Sequence, residues 1–558
     1  MKSKFKNLVP IYISILVVLA FVFYKPVLSY QFVWDDTQLY INPSKIPPDK
    51  PFDKVFENFI PQKDKMYIPV TYFFWSLISA FGGVDNGNFN PFPFHLLNLL
   101  LHILNTILVF LLFKRLLNDD FWAFVGAFIF SLHPIQIESV AWISEARGLL
   151  STFWGLLALL IYLQNSKKVI KIVACLVLLS LSILSKPSGI VFPLIIVLLD
   201  WFWNNIKNPV DLLKRNVFYL LITLPFIFIS FQGEATKTIS FEIPILWRPI
   251  VWINSLGFYL EKFFIPWNLS PGYGLTFNFL KNNPIYFYSI LVGLVAVVAG
   301  FVIKRREYWF GLLLLSLGYL PVSNLVTFYY QYWSTVADRY VYFSVIGLAF
   351  LISYLASLYL KKYRAYYLIG LGVIFFLVSQ KEISKWQDEF SLWQDCIEKY
   401  PERIPHPYLG RGMIFESQGN LYSALNDYSK AVTIDSSYYF GYYNRGNINL
   451  DLRRYSEAIK DFTRAIQLNP NYVNSYVNRG LCYLELGEYR NSIEDFTKAL
   501  ALDSLQADVW YSLGDAYFSN KDYSRALSCY LKAKDLGLTE KDLLEKIEQA
   551  KKATTQYQ

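Results

Sequence analysis

Long apolar runs fill the first two thirds of the chain, and the last third instead mixes apolar and charged positions at helical spacing. The first run, Leu8 to Tyr24, follows Lys2, Lys4 and Lys6. It begins like a signal peptide, but bulky residues (Tyr24, Lys25, Pro26) follow where a small-residue cleavage site would stand. It reads as an uncleaved anchor with its N-terminus in the cytoplasm. Further runs cover roughly 94–113, 121–133, 148–164, 169–185, 188–203, 216–232, 285–303, 308–322, 340–360 and 365–380. Each predicts an apolar helix. Several are short for a hydrocarbon core of about 30 Å, as happens where helices break beside a polar cavity.

Charges between the runs set the topology. Lys114-Arg115, Lys167-Lys168-Lys171, Lys207-Lys214-Arg215, Lys304-Arg305-Arg306 and Lys361-Lys362-Arg364 are the dense basic clusters. All five face the cytoplasm if there are about eleven spans, because loops rich in Lys and Arg stay inside. The segment Pro249 to Pro266 is apolar enough to span, but spanning would turn the last two clusters outward, and it carries Glu261-Lys262. It reads as re-entrant or interfacial. The outer loop 30–92 and everything after 380 then share the non-cytoplasmic side.

The charged third repeats itself. Tyr408, Tyr442, Tyr476 and Trp510 recur every 34 residues, as do Gly412, Gly446, Gly480 and Gly514, and Ala424, Ala458, Ser492 and Ala526. Tyr428, Phe462, Phe496 and Tyr530 keep the same phase, followed by Ala431, Ala465, Ala499 and Ala533. A period of about 34 with these residues in this order is the tetratricopeptide pattern. It gives repeats at 405–438, 439–472, 473–506 and 507–540, a connector or half-repeat at 381–404, and a capping helix with tail at 541–558. Such solenoids offer a concave face to an extended peptide. Tyr443 and Asn474 are candidates for that groove.

Composition agrees with two solvents. Of 558 residues 54% are hydrophobic and only 17% charged, against about 25% charged in a soluble domain. Residues 1–380 hold 30 basic and 18 acidic residues, and residues 381–558 hold 22 and 25. The basic excess therefore belongs to membrane topology, not to nucleic-acid binding. The four cysteines (Cys175, Cys396, Cys482, Cys529) are too scattered for a disulfide framework or a zinc site. The expected class is all-α: a polytopic membrane domain over 1–380, then an α-solenoid.

Ionisable groups beside apolar helices are costly and invite a functional reading. Asp35 and Asp36 follow the first run on the outer side, where one of two adjacent carboxylates can serve as a general base. His95, Asn98, His102 and Asn105 share one helix face, the spacing of a polar seam between helices. His133, Glu138 and Glu145-Ala146-Arg147 follow at the outer edge. Lys186, Arg248 and Asp338-Arg339-Tyr340 begin later segments at that edge. Cations gathered opposite the usual basic face suit a lipid phosphate.

These stretches resemble a known family, the transmembrane O-mannosyltransferases that carry tetratricopeptide repeats (the TMTC group) and their bacterial relatives in the GT-C glycosyltransferase superfamily. The likeness rests on Trp34-Asp35-Asp36, on Asn90-Pro91 with His95 to Asn105, and on His133-Pro134 with Glu138 to Trp142. It continues through Leu184-Ser185-Lys186-Pro187 with Pro193 and Asp200, and Asp338-Arg339-Tyr340 with Tyr342 and Gly347. It covers nearly the whole chain. It implies an outer-face active site, a polyprenyl-phosphate sugar donor and a Ser or Thr acceptor hydroxyl on a protein. Asp35 or Asp36 would deprotonate the acceptor, with inversion at the anomeric carbon, and Lys186, Arg339, Arg248 and Arg147 would hold the donor phosphate. His95, His102, His133, Glu138 and Asp338 would support them. Many relatives have an acidic residue where Gly148 stands, and some have Arg in place of Ile68 in Tyr67-Ile68-Pro69.

Two other functions stay open on sequence: transfer to a lipid or cell-envelope glycan, and a non-catalytic membrane scaffold that recruits partners through its repeats. No cofactor is called for beyond the lipid-linked donor. The outer loop offers carboxylates but no trustworthy ligand set for a divalent metal. The expected home is a bacterial inner membrane with the repeats outside it, or the endoplasmic reticulum membrane in a eukaryote.

Overall fold

Prolines and buried polar side chains decide where the apolar runs become helices and where those helices stop. The computed structural model describes residues 8–36, 41–61, 67–85, 87–164, 169–325 except 235–242, 334–539 and 541–556, with side chains left undescribed over 230–234. The described chain is all-α apart from a two-residue hairpin, Val84–Asp85 with Asn88–Phe89. It divides into two compact units, Met1–Tyr400 and Pro401–Gln558. The connector at 381–404 therefore belongs to the first unit as far as Tyr400. Glu382, Lys385, Asp395 and Lys399 form a buried ion cluster there, closed by Lys385 Nζ to Glu382 at 2.6 Å and Lys399 Nζ to Asp395 at 2.8 Å.

Five described helices in the first unit are long and apolar enough to cross a membrane: Val9–Ser29, Pro91–Leu117, Ile143–Tyr162, Pro284–Ile303 and Lys361–Ser384. The pair Asp120–Leu132 and Pro134–Ala141, bent by 51°, would make a sixth. Val169–Ser185, Pro187–Phe202 and Val345–Tyr359 are apolar but shorter. The remaining runs fall short of the eleven full spans expected. The run at 216–232 divides between Pro209–Leu221 and Leu224–Glu234, with Pro225 at the join, and Arg306–Tyr319 stops before Pro321. Proline lacks the amide a helix interior needs.

The helix ends sort by charge. Arg115 donates to Leu163 O and Lys171 to Gln164 O, while Arg215 pairs with Asp200. Arg306 donates to Phe202 O, and Arg364 lies over the Phe121 ring, near the Lys114–Asp120 pair. Described members of all five basic clusters therefore gather at one end. Lys167 and Lys168 lie outside the described residues. Arg248–Phe264, the ambiguous segment, meets the other end at both of its termini: Arg248 donates to Leu325 O, and His133 Nε2 lies 2.7 Å from Phe263 O.

The second unit is four helix pairs, 406–417 with 421–434, 439–451 with 455–468, 473–485 with 489–502, and 507–519 with 523–535, closed by 541–556. Glycine is required at the crossing within each pair. A Cβ on Gly412 would stand 2.6 Å from the Tyr428 ring, and one on Gly514 2.5 Å from Tyr530. The first three pairs also share a buried ion pair in phase: Arg411–Asp427, Arg445–Asp461 and Arg479–Asp495 at 2.7, 2.5 and 2.7 Å. The fourth pair puts buried Leu513 and Cys529 in those places.

Candidate active site

The site end of the first unit is built from breaks. Chain leaves helical geometry at Tyr30, at His133, at Trp142, at Lys186 and at Ala337. Each break frees backbone amides that apolar surroundings cannot satisfy. Carboxylates take several of them. Asp36 Oδ2 accepts from Val33 N at 3.0 Å, and Oδ1 from Ser144 N at 2.9 Å and Ser144 Oγ at 2.5 Å. Glu138 Oε2 accepts from Arg339 N at 3.1 Å, and Asp338 Oδ2 from Ser270 N at 3.2 Å. Burial pushes Asp36 up to about 7, and burial followed by the nearby Glu138 charge does the same for Asp338.

The two leading aspartates differ in surroundings. Asp36 is fully enclosed, with both oxygens engaged, and it ties the stretch after the first helix to the 142–145 segment. Asp35 is at the edge, 9% exposed. Trp34, before them, sits at φ 57° and stacks on Trp142 with centroids 4.7 Å apart. A bulky residue rarely adopts that backbone region, so the ring contact has to hold it there. Over the same segment the outer loop packs an apolar layer in which Ile41, Ile46, Ile68 and Tyr72 meet Ile143 and Ala146. Ile68 is therefore a buried packing residue.

Three cations meet two carboxylates beside Trp142. Arg339 Nη1 lies 2.7 Å from Glu138 Oε1 and 2.8 Å from Pro271 O. Lys186 Nζ lies 2.8 Å from Glu145 Oε2, and Arg147 Nη2 3.1 Å from Glu145 Oε1. Both guanidinium groups lie over the Trp142 ring, at 5.3 and 5.7 Å. Lys186 is the most exposed of the three, at 18%. Gly148 is what lets Lys186 in: a Cβ there would stand 2.7 Å from Glu145 Oε2 and 3.3 Å from Lys186 Nζ. A side chain at this place would press on both groups.

Other expected members are elsewhere. Arg248 does not join the cations; its guanidinium donates to Ile243 O and Leu325 O. The histidine–asparagine face of Pro91–Leu117 packs as a seam. His102 bridges Tyr342 Oη at 2.8 Å and Ser131 O at 2.9 Å, Asn98 donates to Trp142 O, and Asn105 to Leu149 O. His95 is buried on the same face, and His133 stacks on Phe263 at 4.5 Å. Among the described residues no group of three or more His, Cys, Asp or Glu could hold a metal ion. The sequence places Glu145 at the outer edge and Trp142 in a matching stretch without a role for either, and gives none to Ser144. The acid two residues before Arg147 was the available signal for the first.

In the second unit, Tyr443 wedges between Phe462 and Tyr472 rather than standing free in a groove, and Asn474 is exposed.

Family models for the tetratricopeptide repeat match residues 405–438, 439–472, 473–504 and 507–537. The chain is similar to the protein O-mannosyl-transferase F38B6.6 of Caenorhabditis elegans, 23% identical over 76% of this chain and 63% of that one. It is similar also to the protein O-mannosyl-transferase TMTC2 of Mus musculus, 31% identical over 25% of this chain and 17% of the relative. The Drosophila melanogaster Tmtc2 protein is 27% identical over 49% and 32%. The chain thus spans less than two thirds of the length of the relatives it matches. A solved crystal structure of MamA protein covers 26% of the chain and 80% of its own, at 24% identity and a TM-score of 0.25.

Proposed function

We propose that this chain is an integral-membrane glycosyltransferase of the inverting GT-C kind. It moves mannose or another hexose from a polyprenyl-phosphate donor to Ser or Thr hydroxyls of exported proteins. The names of its relatives support O-mannosylation in general terms. The observation that carries the reading is the cation cluster at the broken helix ends. Three cations from three separate segments converge there on two carboxylates. A phosphodiester donor carries one negative charge, and its leaving phosphate gains a second as the sugar departs.

Each residue then has a task. Asp35 takes the proton of the acceptor hydroxyl, which is too poor a nucleophile to attack unaided. Asp36 fixes the backbone that presents Asp35. Lys186, Arg147 and Arg339 stabilise the charge that grows on the phosphate, so no acid has to protonate the leaving group. Tetratricopeptide repeats generally bind partner proteins or peptides, and here they would hold the acceptor or a partner. The proposed home is a bacterial inner membrane with site and repeats on the outer face.

The test is transfer from a panel of radiolabelled polyprenyl-phosphate sugars to Ser/Thr peptides in membranes that contain the full chain. Label should reach peptide from one donor and not in Asp35→Asn. Transfer that survives Asp35→Asn removes the mechanism, and label in a glycolipid instead of peptide moves the acceptor to the cell envelope.

A further inference from the structure

The acids of the site are not equivalent. Asp36, Glu138 and Asp338 each accept from a broken backbone amide, so each is needed where it is. Among the described residues, the side-chain hydrogen bonds of Glu145 run only to Lys186 and Arg147. Its side chain is 1% exposed. Its two oxygens are split between the two cations, Oε2 to Lys186 at 2.8 Å and Oε1 to Arg147 Nε at 3.2 Å and Nη2 at 3.1 Å. Two oxygens on one carbon offer nearly the same fork as two non-bridging oxygens on one phosphorus. The bare Gly148 beside them keeps that fork clear of any side chain.

We propose that Glu145 is the resident counter-ion of the donor phosphate. It holds Lys186 and Arg147 in the arrangement of a bound anion while the site is empty. The phosphodiester takes over part of those contacts when the donor enters, and Glu145 reclaims them to expel the polyprenyl phosphate product. Glu145 is thus a positioning residue, acting through two cations, and its cost to donor affinity is repaid in turnover. The inference rests on the donor reading above. It predicts that removing the carboxylate charge tightens phosphate binding, the opposite of what loss of a merely structural ion pair does.

The experiment uses the full chain in lipid nanodiscs, with farnesyl phosphate and inorganic phosphate as probes. Glu145→Gln should bind farnesyl phosphate about tenfold more tightly than wild type, with donor KM and kcat both lowered by slow product release. Glu145→Asp should return toward wild-type affinity, and Lys186→Ala should bind more weakly. Inorganic phosphate should follow the same order with lower affinity, since it lacks the lipid chain. If Glu145→Gln does not fold, Glu145→Ser removes the charge with a smaller side chain and should tighten binding in the same sense. Wild-type binding that Lys186→Ala weakens but neither variant tightens overturns the counter-ion role alone. Failure of wild type to bind either phosphate removes the donor reading, and this inference with it.

Discussion

The repeat unit and the membrane unit both bury charge, but they count it differently. In the repeats each buried acid has one arginine, 16 residues earlier: Arg411–Asp427, Arg445–Asp461, Arg479–Asp495. The fourth repeat dispenses with the pair altogether, packing Leu513 and Cys529 in its place. A one-to-one pair that apolar residues can replace is a packing device. At the broken ends of the membrane unit two carboxylates serve three cations, drawn from segments 41 and 201 residues apart along the chain. Cations that converge from distant segments where burial is costly are what a ligand of opposite sign would engage.

Four measurements test that contrast. The largest effect belongs to the edge carboxylate: Asp35→Asn should lower transfer by about 100-fold or more, with unchanged gel filtration and thermal melting. Full activity in that variant would make the aspartate another packing group. Next, Arg339→Ala leaves Glu138 enclosed without its partner and should cost about 3–5 kcal/mol in the melting of the membrane unit. Arg339→Met combined with Glu138→Gln should recover most of that stability and none of the transfer. If the double variant also transfers sugar, the cation has no chemical part.

In the repeats the same operation should restore everything. Asp461→Ala should cost about 1–3 kcal/mol, toward the lower end because Arg445 is 26% exposed. Arg445→Leu with Asp461→Cys, copying the fourth repeat, should melt within about 1 kcal/mol of wild type. A double variant as unstable as the single would show that the pair is not replaceable. The smallest effect is in pH. Burial raises Asp36 from an ordinary 3.8 to about 7, so the folded state favours its protonated form. That contribution is fully present below about 3.8 and is lost as pH rises through about 7. Wild-type melting temperature should therefore fall from about pH 5 to about pH 8, and Asp36→Asn should make the slope shallower, leaving the part that Asp338 contributes. An equal slope in both proteins would assign the pH response to other groups.

The repeats were open to reading because each supplies its own contacts within 34 residues: Gly446 faces Phe462, and Arg445 reaches Asp461. The helix seam was open for a similar reason, since His95, Asn98, His102 and Asn105 fall on one face by spacing alone. The basic clusters gave the sides of the membrane unit. Partners across the chain left no such trace. Nothing local in Glu145-Ala146-Arg147 says that Lys186 completes the set, because the approach depends on the missing side chain of Gly148. Arg248 looked equivalent to Arg339, yet its fork is taken by Ile243 O and Leu325 O. The segment 381–404 reads from sequence as a connector or half-repeat ahead of the array. Its Lys385 and Lys399 are instead held with Glu382 against Leu269 O.

That connector carries an evolutionary consequence. Every ion pair of the Glu382–Lys399 cluster closes before Tyr400, on the membrane unit's side of the boundary. Recombination downstream of it would lengthen, shorten or exchange the array and leave every ion pair of that cluster in place. If the proposed function holds, an ancestral chain could in this way acquire new partners by trading its array, while the first unit descended unchanged.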